Sequence, residues 1–95
     1  MRTIRKVIII PVFVEWMPDF YEQDMVYISR EHNCSKHLCL CGCGQMTIMP
    51  LDDGSKWWQL VEGPDGRVSF IGSVGNYSFP CQSHYIITNN VANFV

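Results

Sequence analysis

Most of the metal-binding side chains of this chain fall in two short stretches. The run His37-Leu38-Cys39-Leu40-Cys41-Gly42-Cys43-Gly44 is answered far along the sequence by Cys81-Gln82-Ser83-His84. Four of the five cysteines and two of the three histidines are in these stretches. Thiolates and imidazoles gathered at two distant places suit a tetrahedral ion such as zinc. A fold that uses them together must bring the two places into contact.

The ligand set has more candidates than places. On a straight strand Cys39, Cys41 and Cys43 would share one face. Gly42 and Gly44 imply a turn instead, which can converge sulfurs on one ion. Cys41, Cys43 and Cys81 are the principal ligands on this reading. Cys39 and His84 compete for the fourth position, and His37 is a further candidate. The bland alternative is that these thiols are small apolar core groups. Cys34 stands apart and reads as an ordinary core or surface cysteine.

A chain of 95 residues is expected to form one domain, spanning 1–95. At this size only about two-thirds of the unfolded surface is buried on folding. A structural zinc, contributing on the order of 10 kcal/mol of apparent binding energy, would change that balance. The net charge is −2, and Arg2, Arg5 and Lys6 are the only near-cluster of cations. A nucleic-acid-binding face is therefore not expected. No stretch reaches the roughly 18 apolar residues of a membrane span, and Pro11 breaks the longest one. Close C-x-C spacings in an odd set of cysteines read as metal ligands in a reducing compartment, so the expected location is the cytoplasm.

The pattern of residues is all-β, a small antiparallel sheet or sandwich with a zinc-ribbon-like Cys/His site. Lys6 to Glu15 is β-branched and aromatic, a first strand with Pro11 at an edge or bulge. Met25–Ser29 is a second strand, with at most one helical turn between Trp16 and Asp24. Glu31 to Ser35 reads as a turn. Lys36 to Leu40 and Gln45 to Met49 flank the Cys-Gly bend. Trp57 to Val61 and Arg67 to Ile71 form a hairpin about Gly63-Pro64-Asp65-Gly66, and alternation would point Trp57 and Trp58 to opposite sides. His84 to Thr88 and Val91 to Val95 form a last hairpin about Asn89-Asn90, a pair that tolerates positive φ.

A possible catalytic pair overlaps the metal stretches. Ser73 lies in Ile71-Gly72-Ser73-Val74-Gly75-Asn76, where flanking glycines can admit a substrate backbone and offer amides to an oxyanion. His84 or His37 would be its general base. A His84 that binds zinc has its lone pair committed, so ligand and base are exclusive roles. A catalytic zinc is the other option, with Glu62 or Asp65 as proton acceptor. Rich thiolate ligation favours a closed structural site instead.

The string His37-x-Cys39-x-Cys41-Gly42-Cys43-Gly44, then Pro50-Leu51, Trp57 or Trp58, Ser73-Val74-Gly75-Asn76 and Cys81-x-Ser83-His84-Tyr85-x-Ile87 resembles a small bacterial family catalogued as a domain of unknown function. Its pattern runs H-x-C-x-C-G-C-G, P-L, W, P-S-I-G-N, C-x-S-H-Y-x-I. The resemblance covers Met25 to the C-terminus. This chain has Gly72 where the family has proline and Val74 where isoleucine is common. Such proteins are often encoded beside ubiquitin-like modifiers and homologues of their activating and conjugating enzymes. The resemblance implies a part in that pathway, with the modifier or those enzymes as partners. The expectation is a zinc-stabilised peptidase that processes or removes the modifier, with Ser73 as nucleophile and His84 as base. The alternative is a non-enzymatic module presenting Trp58, Tyr77, Phe79 and Tyr85 to a partner.

Overall fold

The computed structural model describes residues 5–95. Arg2, one of the three N-terminal cations, lies outside the described residues. Among them there are ten strands and no helix. These are β1 (Lys6–Ile8), β2 (Ile10–Phe13), β3 (Met25–Ser29), β4 (Cys34–Leu38), β5 (Met46–Pro50), β6 (Gln59–Glu62), β7 (Val68–Ile71), β8 (Val74–Gly75), β9 (His84–Thr88) and β10 (Val91–Phe94). They form two four-stranded sheets, ordered β1-β10-β9-β8 and β2-β3-β4-β5, and the β6-β7 hairpin.

The first strand expected from the sequence is split. At the buried Ile9 the chain passes from one sheet to the other. Its amide donates to the Asn90 carbonyl at 2.8 Å, while the Ile10 amide donates to Asp24 at 2.9 Å. β2 then runs parallel to β3, the one parallel pair among the described strands, whose other ladders are antiparallel. Pro11 is accommodated because β2 is an edge strand, where a missing N–H costs nothing.

The segment before β3 is not helical. It lies against the outer side of β3, where Ser29 Oγ donates to the Glu15 carbonyl at 2.9 Å and the Glu22 amide donates to Tyr27 Oη at 3.1 Å. Tyr21 meets Tyr27 edge-on at 5.0 Å. Covered on both sides, β3 is buried continuously from Val26 to Ser29. The turn after it ends two residues earlier than the sequence suggests, since Asn33 adopts φ 50° and Cys34 already pairs with Pro50.

One core joins the sheets. Ile9, Val26, Ile28, Leu40, Met49, Phe70, Val74, Tyr85 and Ile87 are all buried in it. The β6-β7 hairpin is tied on by a bidentate pair in which Arg30 Nε lies 2.9 Å and Nη2 2.5 Å from the Glu62 carboxylate. Opposite Glu62, at Val68, the Asn89-Asn90 turn takes part. Asn90 has φ 65°. Its amide donates to the Val68 carbonyl at 2.9 Å, and its Oδ1 accepts from the Val68 amide at 2.8 Å.

Asn90 therefore serves as both a turn residue and an acceptor for a buried amide. Asn90→Gly keeps the backbone conformation and loses the acceptor, at a cost of about 1–3 kcal/mol. Asn90→Ala also forces φ, and is expected to cost about 1 kcal/mol more. Urea unfolding measures both, and stabilities equal to wild type would remove either role.

Candidate functional site

The turn between β4 and β5 carries Cys39, Cys41 and Cys43. Its path depends on Gly42 and Gly44, at φ 92° and 85°. The Cys39 amide donates to Gln45 at 2.7 Å and Gly42 to Cys39 at 3.0 Å, closing the bend. Arg5 Nη1 donates to the Cys41 carbonyl at 3.1 Å and Gln23 Nε2 to the Cys39 carbonyl at 3.0 Å. The loop from β8 to β9 carries Cys81 against this turn.

The four sulfurs of Cys39, Cys41, Cys43 and Cys81 all lie within 4.8 Å of one another. A tetrahedral ion with metal–sulfur bonds of about 2.3 Å requires sulfur–sulfur edges of about 3.8 Å. Cys39 and Cys41 are 3.4 Å apart, Cys39 and Cys81 3.8 Å, and Cys43 and Cys81 3.6 Å. The donor set fits a tetrahedral cation, and these four residues can hold a metal ion.

Neighbouring polar groups are arranged around the sulfurs. Ser83 Oγ lies 2.9 Å from Cys39 Sγ and 3.5 Å from Cys81 Sγ. Asn76 Nδ2 donates to Cys39 Sγ at 3.4 Å. The hydrogen bond from Ser83 draws the Cys81 thiol down to about 6, while burial pushes Cys41 up to about 12. Four thiolates this close repel one another, so full deprotonation requires a cation among them.

The histidines are elsewhere. His37 is fully buried, with Nε2 2.7 Å from Tyr85 Oη. Burial lowers it to about 4, so it is neutral at physiological pH. Its Nδ1 has no partner. His84 is not in the sulfur group. Its Nδ1 lies 2.9 Å from Tyr77 Oη. Glu62 is paired with Arg30 and Asp65 with Arg67, and neither belongs to the sulfur group.

Ser73 and His84 share a face of the β8-β9 hairpin. Val74 pairs with Tyr85 and Gly75 with His84. Val74 and Tyr85 point into the core, so alternation turns Ser73, Gly75, His84 and Ile86 outward. Extending the register by one residue sets Ser73 opposite Ile86 and diagonal to His84. Such diagonal positions are about 7–8 Å apart, within reach of a long side chain. Tyr77 folds back over Gly75 to reach the imidazole. A Cβ built on Gly75 would fall 2.6 Å from Tyr77 Cε2, so the glycine makes room for this ring. His37 lies with Tyr85 on the core side of β9, which separates it from Ser73.

The backbone of β8 has a free side. The Asn76 amide donates to the Ser83 carbonyl at 2.8 Å. In an antiparallel ladder bonding pairs recur every second residue, so Val74 bonds Tyr85 and the peptide groups of Ser73 and Gly75 face away from β9. β8 is the last strand of its sheet. The Ser73 carbonyl is taken by Trp58 Nε1 at 3.0 Å.

The model of one protein family, described as the bacterial ubiquitination-like system serine protease BubE, matches residues 13–95. This chain belongs to the BubE family. No curated protein and no solved structure matches it. The span matched by the BubE model contains all four clustered cysteines, Ser73, Tyr77 and His84. Three residues of this BubE chain have no part in the metal site or the chemistry on the sequence reading. Asn76 joins the sulfur cluster to β8, with Oδ1 accepting from Thr47 Oγ1 at 3.3 Å and Nδ2 reaching Cys39, Ser83 and Tyr85. Ser83 bonds two sulfurs, and Tyr77 meets His84. Asn76 and Ser83 sat in the quoted motifs beside the chemistry-bearing residues, which was the available signal. Tyr77 appeared only among the partner-facing aromatics. Of that group Tyr85 is fully buried, and Trp58 and Phe79 pack on the core. Trp57 and Trp58 precede β6 rather than lying in it, and they stack with centroids 6.5 Å apart.

Cobalt titration of the BubE chain reports the ligands. The sulfur set gives thiolate-to-metal absorption with tetrahedral bands at one ion per chain. Cys39→Ser is expected to weaken binding by an order of magnitude or more, while Cys34→Ser and His84→Ala leave stoichiometry and spectrum unchanged. A spectrum altered by His84→Ala would put the imidazole among the ligands.

Proposed function

We propose that this protein is a serine peptidase of a bacterial ubiquitin-like conjugation pathway, maturing or removing the modifier, with a structural zinc held by Cys39, Cys41, Cys43 and Cys81. The observation that carries the reading is one outer face bearing Ser73 and His84, with Tyr77 Oη 2.9 Å from His84 Nδ1. The family's description supports the same reaction class.

The mechanism follows from proton positions. With Nδ1–H donating to Tyr77, His84 presents the lone pair of Nε2 outward. Nε2 takes the Ser73 proton as Oγ attacks the scissile carbonyl carbon. The amides of Ser73 and Gly75, on the free edge of β8, are the donors available to the oxyanion. His84 then returns the proton to the leaving amine, and the acyl group on Ser73 is released by water through the same base. Tyr77 is a positioning residue that fixes the tautomer and ring orientation.

Zinc has a structural part in this scheme. Held by all four sulfurs, an ion would supply structural stabilisation rather than a Lewis acid or a bound water. It would close the loop between β8 and β9, the hairpin that carries both Ser73 and His84. Reduced thiols and a modifier pathway agree with a cytoplasmic setting.

A modifier carrying a C-terminal peptide extension tests the activity. Ser73→Ala and His84→Ala are expected to lose about 10³-fold or more in kcat/KM with metal content unchanged. A fluorophosphonate probe should label wild type at Ser73 alone. Tyr77→Phe is expected to lower kcat about tenfold with KM little changed. Gly75→Ala, which displaces the Tyr77 ring, should lower kcat similarly and add little to Tyr77→Phe. Undiminished cleavage by Ser73→Ala would end the serine mechanism.

A further inference from the structure

We infer that the cleft between Trp57-Trp58 and Ile71-Gly72-Ser73 is a substrate subsite that takes one large apolar side chain of an extended peptide segment. The inference rests on the peptidase reading and adds the substrate class to it. The cleft has a volume of about 280 Å³ and is lined by Lys56, Trp57, Trp58, Ile71, Gly72 and Ser73.

Its origin is a divergence of strands. β6 and β7 pair from Glu62↔Val68 to Gln59↔Ile71. One step further the register would set Trp58 opposite Gly72, and then Trp57 opposite Ser73. There the chain bends instead, with Gly72 at φ 114°. A Cβ on Gly72 would come within 3.1 Å of Trp58 Cδ1, so the indole lies directly on this glycine. Past the bend the strand leaves β6 and joins β9. The space that β6 would have filled stays open beside Ser73, along the free edge of β8.

The walls decide what fits. Two indoles stack with an interplanar angle of 20°. Ile71 is 54% exposed and Trp57 43% exposed, which is unusual for side chains this apolar beside a cavity. The one charge is cationic, Lys56, with Nζ 5.2 Å from the Trp57 ring centroid. Lining of this kind repels a lysine or arginine side chain and gives a small residue nothing to pack against. A leucine, methionine or aromatic side chain gains by packing between the indoles and Ile71. Only an extended chain on the edge of β8 can put a side chain here and its carbonyl at Ser73, so the occupant is an unfolded tail rather than a folded surface.

The cleft is preformed. The loop that presents the indoles is built on Asp52, whose carboxylate accepts from the amides of Gly54 at 2.7 Å, Lys56 at 3.2 Å and Trp57 at 2.9 Å. Trp58 is fixed by its bond to the Ser73 carbonyl. Subsite and nucleophile are thus joined by one hydrogen bond.

The test uses short peptides, identical except for one position that carries Leu, Phe, Gly, Asp or Lys and is moved along the sequence. Binding is read on metal-loaded Ser73→Ala by anisotropy and indole emission. At one position the Leu and Phe peptides are expected to bind about tenfold tighter than the others and to shift tryptophan emission. Trp57→Ala should abolish that discrimination and Trp57→Phe retain it, with the cobalt spectrum of both unchanged as a check on folding. Wild type should cut beside the same residue. Cleavage with no side-chain preference, unaltered by Trp57→Ala, would overturn the subsite and leave the peptidase reading intact. Discrimination in binding without cleavage by wild type would overturn the peptidase reading instead. Failure of every peptide either to bind or to be cut would overturn the subsite.

Discussion

Four thiol groups closing on one point are the contact on which the rest of this molecule depends. Three come from a single glycine-bent turn, and the fourth from a loop distant in sequence. Sulfurs within 4.8 Å of one another, three of the pairs at 3.4–3.8 Å, are not a stable packing of free thiolates. They become one when a cation replaces repulsion with coordination. In a chain with so small a core, a cation bound there would fix the loop between β8 and β9, which has little regular structure of its own.

The consequence is felt on the far side of the same hairpin. β9 alternates, so Tyr85 and Ile87 face the core while His84 and Ile86 face out. The buried polar groups around the sulfurs, Asn76 and Ser83, hold the ends of the hairpin. Ser73 and His84 lie on its outer surface. The sulfur cluster and the proposed chemistry therefore use opposite sides of the hairpin. His84 lies outside the four-sulfur cluster, and its Nδ1 is engaged by Tyr77.

Gly72 is the second hinge of the design. A strand that began as the partner of β6 becomes the partner of β9 by bending at one residue. The bend frees the edge of β8, sets Ser73 at the break and leaves two tryptophans standing where pairing stopped. The proposed nucleophile, the amides it would offer to an oxyanion and the apolar cleft all follow from that one change of neighbour.

Much of this was readable from residue order. The all-β class, the β6-β7 and β9-β10 hairpins and the two cysteine stretches are local patterns, written in alternation, turn residues and spacing. The sequence also narrowed the candidate ligands to Cys39, Cys41, Cys43, Cys81 and His84, with His37 as a further candidate. Other features depended on partners distant in sequence. The strand from Lys6 divides because Ile9 is buried between two sheets, and β2 runs parallel because the segment after it crosses over β3. His37 is a buried neutral group because Tyr85 meets it across the core. Tyr77 gains a role because β8 and β9 bring His84 beneath it. Local backbone preference is set by neighbouring residues and survives in the sequence. Which side chains share a face, and which hydrogen bonds remain for a substrate, are set by register and sheet order, which exist only once the chain has folded.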